Sequence, residues 1–585
     1  MKEQTGGANE QNREAGENGT EDPEKGEYSV LSAERMRTLL NRQMGFVVIG
    51  PDDQVPPEFA GVDGKVYCFN TKTRSYYAIS DTLFYPGRVY FNEDTEEETV
   101  EIIYHAHGRW RSFSCSRRDL EDKKFLKGFK DYGIEIDTDY LDEVRRFLNE
   151  TIRDYKGTKI RIIRTTDHLG WYAGAEGEPP EFVPYSERIH YSGKRFSGKK
   201  VKSLLTPSGA LEDWVDLMNS FRDSDHVEAR LVLAAGFASV LVKILGAQTF
   251  AVDIWGPESG SGKSVALSTA VSVWAKPGIE EGYIRKADST GLSLETYASI
   301  YHHLPLGIDE TSTESSRRKL GKFVYNICSE ISHGALNANG TLREQQNWAN
   351  CVILTGEMPI TSEQSLAGTV NRVIEIEAPA HVFWDDGPRM MHYIGQLREN
   401  YGTAGREFVT RLMEKENADY ARGLFRQYYE EMYRVAAGKQ AESAAVLLTA
   451  DRLAAEWIFG DDVILTVEDI SPFVKSDREV NTNERVHQLI LEWIALNSSK
   501  FEEGKDIRWG RFGIRDGRRT IEIVRKTFND FLRREGFSDR SYLSWARRTG
   551  KLYFDPEDPE RRNDVRGKLN GRNVRFVCIF DEEKK

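Results

Sequence analysis

No Cys-x-x-Cys pair occurs in this chain. Its five cysteines, Cys68, Cys115, Cys328, Cys351 and Cys578, are scattered over 585 residues. That spacing argues against a zinc ribbon or a disulfide framework and suits a reducing compartment. A long apolar run is also missing. The most apolar stretch, Leu231 to Leu245, is interrupted by Lys243 and preceded by Glu228 and Arg230. It is too short to span a bilayer and reads as a buried helix. The N-terminus is hydrophilic and lacks a signal-peptide pattern, so a cytoplasmic location and no membrane partner are expected. Net positive charge is absent too: 80 Lys and Arg face 93 Asp and Glu, leaving -13. A uniformly basic nucleic-acid coat is thereby excluded, and any DNA contact must come from local patches. The length allows about four domains, with more than one core.

What is present centres on one stretch, Gly256-Pro257-Glu258-Ser259-Gly260-Ser261-Gly262-Lys263-Ser264. Before it, Phe250 to Trp255 is short, β-branched and aromatic, the pattern of a buried strand. After it, Val265 to Trp274 is apolar at helical spacing. Strand, glycine-rich turn and Gly-Lys-Ser opening a helix is the context a phosphate-binding loop requires. Glycines let backbone amides curl around phosphate oxygens, and the helix N-terminus adds its positive end. Lys263 would reach the β and γ phosphates of ATP, and the Ser264 hydroxyl would hold Mg2+. The spacing is irregular. Counting back from Gly262, the first glycine position falls on Pro257, and Gly256 lies one residue early. The loop is either one residue long or starts on a proline; the plainer reading is a glycine-rich turn.

Two further strand tips extend the reading. His302 to Glu310 is an apolar strand ending in Asp309-Glu310, about 45 residues beyond the lysine, an interval at which strands alternate with helices in α/β sheets. Asp309 would hold Mg2+ through water, and Glu310 would polarise the water that attacks the γ phosphate. Cys351 to Leu354 is a third strand, ending in Thr355-Gly356-Glu357, where Thr355 is a candidate to sense the γ phosphate. Between these strands, the Asn339-Gly340 dipeptide marks a hairpin over Gly334 to Arg343 that could project into a pore. Arg372, just before the apolar Val373-Ile374-Glu375-Ile376, is a candidate arginine finger toward a neighbour's nucleotide, against the alternative of an ordinary surface arginine.

The rest of the chain is organised around this core. Residues 1–28 are polar and glycine-rich and are expected to be a disordered tail. Residues 44–205 read as an N-terminal α+β domain. His105 and His107 alternate on one of its strands, a pair more often solvated than metal-binding. A basic run, Lys194, Arg195, Lys199, Lys200 and Lys202, suits phosphate contact or a solvated linker. The ATPase core is assigned to 206–380 and a helical extension to 381–475. Residues 480–585 carry expected helices at Asn483–Leu496, Thr520–Glu535 and Asp539–Arg548, followed by strands at 551–554 and 573–579, the order of a winged helix. That segment is locally basic, including Arg508, Arg511, Arg515, Arg533, Arg540, Arg547 and Arg548. The charge suits DNA, a partner, or a solvated face packed against the motor.

At these residues the chain resembles the Domain of Unknown Function 927 family, ATPases of phages and mobile elements. The resemblance is carried by His168-Leu169-Gly170-Trp171, Gly256 to Ser264, Ser272 to Pro277, Leu304 to Glu310, Thr355-Gly356-Glu357 and Gly368 to Ile376. It implies an α/β P-loop NTPase core of the AAA+ type, similar to minichromosome-maintenance helicases, assembling as a homo-oligomeric ring, commonly a hexamer, around DNA. By that likeness Arg372 matches the arginine finger. Two departures stand out. The loop is one residue longer than the family's, and the hairpin often read as Gly-Lys-x-Arg in relatives is here the neutral Gly334-Ala335-Leu336-Asn337, leaving Arg343 as the nearby DNA-facing candidate. The expected function is an ATP-dependent, Mg2+-requiring DNA helicase or translocase acting on single-stranded or forked DNA in the replication of a mobile element. The rivals are a nucleoprotein remodeller or defence-type switch that hydrolyses ATP without unwinding, and a non-enzymatic DNA-binding scaffold.

Overall fold

The structure, a computed structural model, describes residues 31–32, 48–49, 58–173, 180–193, 198–222, 226–258, 260–309, 314–332, 345–362, 365–378, 383, 387–504, 507–558 and 562–581. The chain divides into two compact units, Met1–Thr165 and Thr166–Lys585.

The first unit is built on antiparallel hairpins. Phe59–Val62, Lys65–Asn70 and Ser75–Ser80 form one run. Phe84–Asn92, Glu98–Ala106 and Arg109–Ser116 form a second, with Arg161–Thr166 added parallel to the first of these strands. Helix Leu141–Tyr155 covers the core because Leu141, Val144, Phe147, Leu148 and Ile152 recur at three- and four-residue spacing and are buried together. His107 heads a two-residue turn with positive φ, beside Gly108. Both His105 and His107 are exposed, and no group of three or more His, Cys, Asp or Glu forms a metal cluster among the described residues.

The second unit holds a five-stranded parallel sheet. Its strands are β1 (Phe250–Trp255), β2 (Arg285–Lys286), β3 (Leu306–Asp309), β4 (Cys351–Gly356) and β5 (Val373–Glu377), lying in the order β2-β3-β4-β1-β5. Strands buried on both faces read as continuous apolar runs, which is why β4 is buried along its whole length. Helix α1 (Val227–Leu245) is buried at every residue from Leu231 to Val242. It packs on α2 (Lys263–Ser272), which follows the glycine loop. The His168-to-Trp171 motif is structural: the Trp171 indole donates to Val240 O at 2.8 Å, and its backbone N–H donates to His303 Nδ1 at 3.0 Å. Helices Gly387–Glu399, Thr403–Leu412, Lys415–Met432 and Gly438–Ala454 follow the sheet.

The C-terminal segment differs from expectation in its strands. Thr520–Val524 is strand, not helix. β6 (Gly510–Arg515) and β7 (Arg518–Val524) form a hairpin across Asp516-Gly517. The reason is the alternation Ile521, Glu522, Ile523. The isoleucines enter the helix-packed core, while Glu522 faces the other way and bridges Arg511 and Arg515 at 2.6 and 2.7 Å. Helix α4 (Thr482–Leu496) precedes this hairpin, and α5 (Arg525–Arg534) and α6 (Asp539–Arg548) follow it, joined by a turn at Gly536. β8 (Leu552–Tyr553), β9 (Val565–Leu569) and β10 (Arg572–Phe580) complete the sheet, so five strands rather than a two-stranded ribbon accompany the three helices. All five cysteines are free and buried. Among the described residues no helix is long and apolar enough to cross a membrane.

Candidate active site

Three strand tips meet at the C-terminal edge of the parallel sheet. β1 runs into the glycine loop, β3 ends on Asp309, and β4, which lies between them, carries Thr355 opposite Ile254. Open α/β sheets bind ligands at this edge, where strand ends and helix N-termini converge. Gly256 is required by crowding, since a Cβ there would fall 2.3 Å from Ala378 O. Gly262 has φ +88°, a left-handed conformation that turns the chain into α2. The first amides of that helix have no intrahelical acceptor, which leaves them available to an anion.

Lys263 is held inside this loop. Its ammonium donates to Gly256 O at 2.9 Å, Glu258 O at 2.7 Å and Ser261 Oγ at 2.9 Å. Burial lowers its pKa, opposed by the negative charges of Glu357, Glu258 and Asp309. The Ser264 hydroxyl donates to Asp309 Oδ1 at 2.9 Å. Thr355 Oγ1 donates to the same oxygen. Asp309 is 7% exposed, so these bonds replace much of the hydration its carboxylate loses. Gly307 lets α2 lie close to β3: a Cβ there would meet Val271 Cγ2 at 3.1 Å.

The sequence candidates separate accordingly. Gly256, Pro257, Glu258, Gly260, Ser261, Gly262, Lys263, Ser264, Asp309 and Thr355 lie together. Ser259, Glu310, Arg343 and the 334–343 hairpin fall outside the described residues. Arg372 lies elsewhere. It precedes Val373, which pairs with Ala251 near the start of β1, whereas the glycine loop leaves the far end of β1 after Trp255. At 3.3 Å per residue the strand puts about 17 Å between the two edges. The Arg372 guanidinium donates through Nη1 to Gly368 O at 2.9 Å and sits over the Tyr325 ring.

One buried group escapes sequence reading. Asp253 in β1 is fully buried; its Oδ2 accepts the Ile360 N–H at 2.7 Å, and Oδ1 has no partner. Burial, with the nearby Glu375 carboxylate, raises its pKa to about 8. An acid inside Phe-Ala-Val-Asp-Ile-Trp was the only signal.

A parallel α/β domain with a glycine loop entering a helix, joined to a helix-turn-helix module, is the class these elements define. Residues 87–347 match the family described as Domain of unknown function (DUF927), and residues 481–584 match the one described as Cch helix turn helix domain. No curated protein matches it. The solved structure titled "SCCmec type IV Cch - active helicase" is 17% identical, with a TM-score of 0.66 over 90% of this chain and 98% of that one. At that identity the likeness is one of fold. "The A form apo structure of NrS-1 C terminal region-CTR" gives 13% identity and a TM-score of 0.29 over 74% of this chain and 96% of that one, too low to carry an argument.

Proposed function

We propose that this chain is a ring-forming, ATP-dependent DNA helicase or translocase of a mobile genetic element, with an AAA+-like P-loop core and a winged-helix domain. The observation that carries the reading is the convergence of Lys263, Ser264, Thr355 and Asp309 on one sheet edge. Gly256 O, Glu258 O and Ser261 Oγ keep the Lys263 ammonium within the loop, from which it would reach the β and γ phosphates. The loop amides and the N-terminus of α2 would wrap the phosphates. Ser264 and Asp309 offer hard oxygens suited to Mg2+, an ion that commonly takes one or two protein ligands and completes its shell with phosphates and water. When bound, Mg2+ neutralises charge developing on the phosphate oxygens.

In this reading Glu310 takes a proton from water as its oxygen attacks the γ phosphorus, and the bond to ADP breaks to release phosphate. Thr355 would orient that water. Arg372, on the opposite edge of its own sheet, is out of reach of its own chain's loop and would serve a neighbouring subunit's nucleotide, hence the ring. The 334–343 hairpin with Arg343 would contact the translocating strand. On α6, Arg540, Ser544, Arg547 and Arg548 share one face at helical spacing, and Arg540, Ser544 and Arg548 are exposed, which supports a duplex-facing role. The match to a helix-turn-helix family and the fold shared with a structure titled as an active helicase support the same reading.

The test is ATP turnover by the full chain with and without single-stranded DNA, alongside unwinding of a forked duplex. DNA-stimulated turnover with unwinding is expected. Hydrolysis without unwinding would favour the remodeller, and no hydrolysis with Mg2+ and DNA would leave the scaffold reading.

A further inference from the structure

The chain between Thr355 and Arg372 links the two edges of the sheet, and its outer side is held by residues from outside the motor sheet. It leaves β4 at the nucleotide edge. The Ile360 N–H bonds Asp253. The Thr361 N–H and hydroxyl bond Glu375 Oε1 at 2.9 and 2.6 Å, and Lys475 bridges Glu375 and Thr361. Beyond this point the partner is α4, the first helix of the helix-turn-helix module. Arg485 donates from Nη1 to Ser362 O at 3.2 Å and from Nη2 to Ser365 O at 2.7 Å. Thr482 Oγ1 accepts the Ala367 N–H at 3.0 Å. The short helix α3 (Ala367–Val370) then packs Val370 against Ala437 and Val480, and Gln440 donates to both Val370 O and Val373 O at 2.7 Å. Arg372 follows directly.

We infer that Arg485 is a positioning residue for Arg372, so that the helix-turn-helix module holds the arginine a neighbouring subunit needs. This rests on the reading of Arg372 as a finger acting in trans. The geometry favours a specific role over general packing. A guanidinium spanning two carbonyls three residues apart fixes both in orientation as well as in position. The same helix is tied to the basic helix α6: Ser541 Oγ donates to Asn483 Oδ1 at 3.2 Å, and His487 Nδ1 lies 2.8 Å from the Tyr542 hydroxyl. Movement of α6 on duplex DNA therefore has a bonded route, through α4 and the 360–372 strap, to Arg372.

The test uses full-length protein, scored by kcat and KM for ATP in the assembled state. Arg485→Ala is expected to lower kcat at least tenfold with KM unchanged, and Arg485→Lys to recover part of it. Arg372→Ala sets the floor, and the double variant should fall no lower. Mixing then separates cis from trans action. Lys263→Ala subunits lack a working loop but keep Arg372, so adding them to Arg485→Ala subunits should restore turnover. Unchanged kcat in Arg485→Ala, or loss that Lys263→Ala subunits cannot repair, overturns the proposal. Thr482→Val, which removes the neighbouring bond, should give a smaller loss of the same kind and keeps the question answerable if Arg485→Ala fails to fold; unchanged kcat there would overturn the proposal too. If Arg372→Ala itself turns over normally, the finger reading has failed instead.

Discussion

Ser264 and Asp309, 45 residues apart in sequence, are joined by a 2.9 Å hydrogen bond at the C-terminal edge of the sheet. That bond places a hydroxyl and a carboxylate where one magnesium ion could be held by both. Asp309→Asn is expected to raise the Mg2+ concentration for half-maximal ATP turnover by about tenfold or more, because it removes a full negative charge from the ion's site. Ser264→Ala should shift it in the same direction by less. A Mg2+ titration of turnover at saturating ATP measures both.

Lys263→Ala should abolish nucleotide binding, since the loop would keep its amides but lose its only fixed ammonium among the described residues. Glu310→Gln should bind ATP normally and fail to turn it over, as an amide cannot take the proton from the attacking water. Calorimetric binding beside a phosphate-release assay separates the two. Normal turnover by Glu310→Gln would remove that residue from the mechanism.

Asp253 predicts a pH dependence. Its pKa rises from 3.8 to about 8 on folding, so between those values the folded chain keeps a proton that the unfolded chain has released. The stability tied to this group is complete below pH 3.8 and is lost as pH rises through about 8. Asp253→Asn removes that loss. The melting temperature of the variant relative to the parent should climb from pH 5 to pH 8; a constant difference would refute the assignment.

Gly236 tests the packing behind the loop. A Cβ there would lie 2.6 Å from Ala270 O and 3.1 Å from Val273 Cγ2, so α1 touches α2 and the residues just beyond it almost backbone to backbone. Gly236→Ala should cost about 1–3 kcal/mol of stability through overpacking. Because α2 carries Ser264, nucleotide affinity should fall with it. Thermal melts with and without ATP check both effects.

Arg540→Ala combined with Arg548→Ala should weaken duplex binding and reduce the slope of log affinity against log salt by about two, close to one for each phosphate the protein no longer neutralises. Basal ATP turnover without DNA should not change. Fluorescence anisotropy across a salt series reads the slope.

Much of the candidate site was legible in the linear order. A β-branched run, a glycine turn and an apolar helix start make a local pattern, and local patterns survive in one dimension. The apolar strands ending at Asp309 and Thr355 were visible for the same reason. The Thr520–Val524 segment went astray because its short alternation abuts the helical pattern that begins at Arg525, and only pairing with Gly510–Arg515 and Arg572–Phe580 settles it as strand.

By itself, then, the sequence determined which segments are buried, where the glycine loop between strand and helix lies, and that the chain's acidity leaves basic character to its C-terminal end. Tertiary structure alone decided that β4 inserts between β1 and β3 and so brings Thr355 onto Asp309. It also decided that Arg372 faces away from its own chain's loop, and that Arg485 grips the strap leading to it. Strand order and long-range hydrogen bonds depend on which surfaces meet in space, and separations such as the 120 residues between Ser365 and Arg485 leave no trace in periodicity or composition.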